Sequence, residues 1–138
     1  MLVYTDNTDY AEGILDQKPD WKKTGQRLLN KNIQSLAKKL IRNNTFFMGE
    51  INRSDSWKHL FILEYSPVSQ YDILIKISQS EAELPGGILC MAGSGNLFHG
   101  FKDRPWMSLP GNIHLSAYLS PNQRIEHFAS GFIILSAV

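Results

Sequence analysis

The chain predicts a mixed α/β (α+β) fold, a mixed β-sheet flanked by helices, and three stretches carry that expectation. Residues 59–65, H-L-F-I-L-E-Y, are a short apolar run of strand formers that leads through Pro67 into a helical pattern. Residues 113–120 alternate apolar and polar side chains with the period of a strand that buries one face. Residues 21–43 place Leu29, Ile33, Leu36 and Leu40 at spacings of four, three and four, one stripe of an amphipathic helix.

Along the chain, residues 1–20 are polar, acidic and without period, which reads as a flexible N-terminal arm. The helix over 21–43 carries Lys22, Lys31, Lys38, Lys39 and Arg42 on its other face, a solvated basic side over a core-facing stripe. A helix of this kind also suits an anionic lipid surface or nucleic acid. Asn43-Asn44 stops it, and residues 21–58 make up this helix and a connection. The remaining domain, residues 59–138, opens on the strand over 59–65. Ser69 stands as the N-cap of a helix over 71–79, with Ile73, Leu74 and Ile77 on one face. A strand feeding a capped helix leaves free N–H groups at the sheet's end, a natural place for a polar or anionic group. Pro85-Gly86-Gly87 turns into a strand over 88–92, and Leu109-Pro110-Gly111-Asn112 turns into the alternating strand, whose apolar set is Ile113, Leu115, Ala117 and Leu119. Pro121 ends that strand. Residues 124–138 follow as a strongly apolar helix with Phe128, Phe132 and Leu135 at helical spacing.

At 138 residues, 43% hydrophobic and 20% charged, the chain suits one compact domain rather than two. A net charge of +1 gives no global argument for nucleic acid or a membrane, and neither is expected as a partner. Cys90 is the single cysteine, so no intramolecular disulfide forms, and its apolar surroundings read as a buried, inert thiol. The acidic, polar N-terminus is unlike a signal peptide, and no apolar run approaches the roughly 20 residues that span a bilayer, so a cytoplasmic location is expected. The four histidines are scattered without metal-ligand spacing, and no Walker, dinucleotide or serine-elbow motif is present.

Chemistry concentrates in residues 96–112. Lys102 and Arg104 are permanent cations suited to a phosphate, and His99 adds a titratable donor. Trp106 offers a flat face for a purine, and Gly100 permits close backbone approach. This set reads as nucleotide binding; the other reading is a charged surface hairpin loop anchored by its tryptophan.

The order of these residues, G-x-x-x-R-x-W from Gly100 to Trp106 and then S-x-P-G-N from Ser108 to Asn112, resembles the biotin protein ligase family. That family carries G-R-G-R-x-x-R-x-W followed by S-P-x-G-N-L-Y-L-S. Upstream, Cys90-Met91-Ala92 ends an apolar strand at the family's spacing from the tryptophan, and Ser66 to Leu74 falls where the family has S-V-x-S-T-N-D-x-L. The resemblance covers residues 61–138. It departs at His99 and Phe101, where the family has arginines, at Phe98 for a glycine, at Gly95 for a biotin-contacting glutamine, and at Gln70 and Tyr71 after Ser69. The kept residues favour the nucleotide half of such a site over its biotin half.

The resemblance implies a class II synthetase-like catalytic fold that activates a small carboxylic acid with ATP and magnesium, as an acyl-adenylate, and passes the acyl group to a carrier-protein lysine. His99, Gly100, Lys102, Arg104 and Trp106 are then expected to hold the nucleotide and its phosphates. Ser69, Gln70, Gly111 and Asn112 are expected at the acid, which is biotin or a related carboxylic acid. The family continues into a K-W-P-N-D segment bearing a catalytic lysine, which this sequence lacks, so the chain is expected to be the front portion of such a domain. Self-association is then expected as well. A catalytically silent ligand- or protein-binding relative is the alternative.

Overall fold

Six strands form one mixed sheet in the computed structural model, which describes residues 1–25, 29–41, 45–52, 57–80, 84–100, 102 and 104–119. The strands are β1 (Leu2–Thr5), β2 (Lys22–Gly25), β3 (Thr45–Glu50), β4 (His59–Ser66), β5 (Ile88–Gly95) and β6 (His114–Tyr118), in the order β2-β3-β1-β4-β5-β6. β1, β4 and β5 run parallel, with Tyr4 beside Phe61 and Phe61 beside Cys90. β3 runs antiparallel to β1, β2 to β3, and β6 to β5.

Three helices among the described residues cover the sheet: α1 (Thr8–Leu15), α2 (Lys31–Leu40) and α3 (Gln70–Ser78). α2 presents Ile33, Leu36, Ala37 and Leu40 at i, i+3, i+4 and i+7, and all four are buried. With Ile73, Leu74 and Ile77 of α3 they pack on Tyr4, Phe46, Phe61, Leu63 and Cys90. Each such side chain removed from water contributes roughly 1.5–3 kcal/mol before chain entropy is counted. Tyr4 lies stacked on Phe61 with centroids 4.6 Å apart. On the opposite face, Ala11 and Leu15 of α1 pack over Val3, Leu60 and Ile62.

The helix leaving β1 thus turns to one face and the helix leaving β4 to the other, although β1 and β4 are parallel neighbours. Residues 5–10 and 64–70 stand at this switch point, and the carboxyl ends of the strands flanking such a point are the usual ligand position in open α/β sheets.

Several expectations need correction. Residues 1–20 are no flexible arm: β1 is a central strand with Val3 and Tyr4 buried, and Asn7 caps α1 by accepting from the Tyr10 N–H at 3.1 Å. Residues 21–58 are not an appendage to a domain beginning at 59, because β1, β2 and β3 share the sheet of β4 and β5. The helix over 21–43 reduces to α2. Lys22-Lys23-Thr24-Gly25 pairs with β3 as a strand, and Asn30 caps α2 by accepting from the Asn32 N–H at 2.9 Å. β6 turns over: His114 and Tyr118 face the α2–α3 side, while Ile113, Leu115 and Leu119 are more than half exposed among the described residues. The cause is local, since the His114 ring packs on the buried Phe98 at 4.4 Å and so selects that face.

The strand at β4, the Ser69 cap and α3, the strand opening β5 and the turn at Pro110-Gly111 all stand where expected. Cys90 is fully buried, and burial pushes its thiol far above the ordinary range. No helix among the described residues is long and apolar enough to cross a membrane. The helix expected over 124–138 lies outside the described residues.

Candidate functional site

Two strand-to-helix turns meet at the switch point. After β4, the Ser66 hydroxyl donates to the Val68 carbonyl at 2.8 Å, which tightens the turn and sets Ser69 as N-cap. The Ser69 hydroxyl oxygen accepts from the Asp72 N–H at 3.3 Å. Gln70, the first residue of α3, lies on the helix's inner face with Ile73, Leu74 and Ile77 and is only 2% exposed. Among the described residues neither its Nε2 nor its Oε1 has a hydrogen-bond partner. Such an amide weakens the fold by about 1–3 kcal/mol, a cost that native cores rarely leave in place without a role.

At the end of β1, Asp6 Oδ1 is likewise buried and unpartnered. Burial pushes the Asp6 carboxyl up from the ordinary carboxylate range; hydrogen bonding from the backbone at Asp6 and Glu64 opposes this, and the nearby Glu64 charge adds to it. Asn7 ties the two strands together, because its Nδ2 donates to Glu64 Oε2 at 2.7 Å while its Oδ1 caps α1. The Tyr10 hydroxyl lies against Gly93, so that a Cβ there would make the Tyr10 side chain shift.

A second wall comes from the loop after β5. His99 and Pro105 bridge, the Gly100 N–H donates to the Arg104 carbonyl at 2.8 Å, and the Trp106 N–H donates to the Phe98 carbonyl at 2.8 Å. The loop is thus a closed hairpin with Lys102 in left-handed backbone at φ 58° near its tip. The Trp106 indole lies across Gly100, where a Cβ would stand 2.7 Å from Nε1, yet the ring remains 60% exposed. Gly100 thus serves its own tryptophan, and its N–H is taken up inside the hairpin. His99 Nε2 meets Asp72 Oδ2 at 2.8 Å, which docks the hairpin on the first turn of α3.

The expected nucleotide residues His99, Gly100, Lys102, Arg104 and Trp106 are therefore gathered in one hairpin, and that hairpin is fastened to the helix that begins with Gln70. Ser69 caps the helix with its oxygen and keeps its O–H to donate. Gly111, at φ 96°, and Asn112 line an open groove with Pro105, Trp106 and His114. The Ser108 hydroxyl and His114 Nε2 are 2.8 Å apart, closing the turn that leads into β6. Asp6, Asn7, Tyr10 and Glu64 were missed at the sequence level; the one available signal was Asp6-Asn7 directly after the strand-forming V-Y-T.

No group of three or more His, Cys, Asp or Glu able to hold a metal ion occurs among the described residues. No family model, no curated protein and no solved structure matches this chain.

Proposed function

We propose that the chain is the acid- and nucleotide-binding part of a biotin/lipoate ligase-like domain that activates a small carboxylic acid with ATP for transfer to a carrier-protein lysine. The observation that carries this reading is the buried, unpartnered amide of Gln70 at the switch-point end of β4, with Asp6 Oδ1 unpartnered at the end of neighbouring β1. The Gln70 amide offers N–H donors and a carbonyl acceptor, and a ureido or amide head offers the matching carbonyl and N–H, so an acid such as biotin would pair with it. The anchored hairpin supports the nucleotide half: Trp106 presents its exposed ring to the adenine, and Arg104 with Lys102 meets phosphate oxygens.

In the reaction, a carboxylate oxygen of the acid attacks the α-phosphorus of ATP and pyrophosphate leaves. Negative charge builds on the phosphate oxygens, and fixed cations in the hairpin stabilise it. Magnesium, bound to the ATP phosphates, supplies further charge neutralisation. A second reading, a silent relative that binds acid without activating it, is favoured by one observation: the Gly100 N–H is spent on Arg104 and not offered to a phosphate. Calorimetric titration with biotin, lipoate and octanoate, followed by pyrophosphate release on adding ATP, tests both. Binding of biotin ahead of octanoate with pyrophosphate release supports the enzyme, and binding without release supports the silent relative. Equal or absent binding of all three acids overturns the reading.

A further inference from the structure

Charge is unevenly placed along this nearly neutral chain. Seven of the fourteen Lys and Arg residues lie between Lys22 and Arg42, and no Asp or Glu occurs between Lys22 and Gly49. In the fold, Lys31, Lys38 and Lys39 of α2 and Lys22 and Lys23 of the edge strand β2 are all exposed. None of these five lysines takes part in an ion pair among the described residues. Lys22 stands on the α2 side of the sheet, since it pairs with Met48, which packs against the core under α2, whereas Lys23 stands on the other side, so the basic face consists of Lys22, Lys31, Lys38 and Lys39.

We infer that this basic face of α2 and β2 docks a protein surface rich in Asp and Glu. Three polyanions would suit a lysine cluster, and the structure separates them. A lipid surface requires an apolar side to insert, but the apolar stripe of α2 is already in the core, with Ile33, Leu36, Ala37 and Leu40 at 2% exposure or less. Single-stranded nucleic acid is gripped by aromatic rings interleaved with cations, and α2 carries no aromatic residue. Lysines on a helix face, each a mobile point charge, suit carboxylates dispersed over a protein surface. α2 packs beside α3, the helix that begins at Gln70, so a domain seated on the basic face lies beside that helix pair. That the partner is the acyl-accepting carrier rests on the proposed function; the docking surface itself does not.

The test uses the whole chain without ATP or acid, so its failure is separable from failure of the acid site. The probes are a 20-residue polyglutamate peptide, a single-stranded RNA of equal charge, and vesicles of anionic phospholipid. The variants are Lys31→Glu/Lys38→Glu/Lys39→Glu and a control, Lys18→Glu/Lys58→Glu/Lys76→Glu, which changes net charge equally at exposed sites elsewhere. Polyglutamate is expected to bind best, to weaken at least about tenfold from 50 to 200 mM salt, and to weaken at least about tenfold in the α2 variant but less than about threefold in the control. Stronger binding of RNA or vesicles, equal loss in both variants, or no polyglutamate binding overturns the inference.

Discussion

Replacing Gln70 by methionine separates a binding role from a structural one, because the two roles predict opposite signs. Methionine keeps nearly the same length and volume and removes one donor and one acceptor that meet nothing in the fold. An unsatisfied buried amide costs about 1–3 kcal/mol, so the unliganded variant should be more stable by about that amount. For a chain of this size that raises the melting midpoint by roughly 4–12 °C. Binding should move the other way. Loss of two hydrogen bonds, with the ligand's polar head left unmatched, weakens an acid such as biotin by about 10- to 150-fold. Urea unfolding without ligand and calorimetry with it measure both effects on one protein. If Gln70→Met is destabilised by more than about 1 kcal/mol and binds the acid unchanged, the amide is a satisfied structural group and the reasoning fails.

Three further outcomes are expected. Trp106→Ala should remove most of the tryptophan quenching caused by ATP and lower nucleotide affinity about five- to hundredfold, the span of one base–aromatic stack; unchanged affinity refutes the role. Arg104→Lys should weaken an adenylate analogue by about 1.5–3 kcal/mol because it loses the planar fork, while Lys102→Ala costs less than half of that; the reverse order means the hairpin is only a diffuse basic surface. Asp6 binds its proton more tightly folded than unfolded, so the fold loses stability as pH rises from the ordinary aspartate range through the raised folded value. Asp6→Asn should therefore gain stability relative to the parent at pH 7 but not at pH 3, read by urea unfolding; an equal difference at both pH values contradicts the buried-carboxylate account.

What the sequence discloses here follows from how local each signal is. β4 and α3 were legible because an apolar run and a serine cap are written in contiguous residues. β1 and β2 have only four residues each and owe their conformation to pairing with β3 and β4 rather than to any period of their own. In β6 the alternation disclosed two faces but not which one turns inward, a choice made by His114 against Phe98. The hairpin's residue types were legible one by one. Its mechanics were not, because the contact of His99 with Asp72 spans 27 residues and Gly100 is shaped to Trp106 rather than to a ligand. Gln70 entered as a departure from a family motif; only burial revealed it as an unpartnered amide.

The central claim is that one ligand spans Gln70 at the switch point and the Trp106 hairpin. Titration with a non-hydrolysable biotinyl-adenylate analogue, beside biotin alone and ATP alone, tests it most directly. Joining two halves that occupy adjoining sites makes the second contact intramolecular, so the analogue should bind at least about a hundredfold tighter than either half, and both Gln70→Met and Trp106→Ala should weaken it. Binding no tighter than the better half, or sensitivity to only one of the two substitutions, would contradict the account.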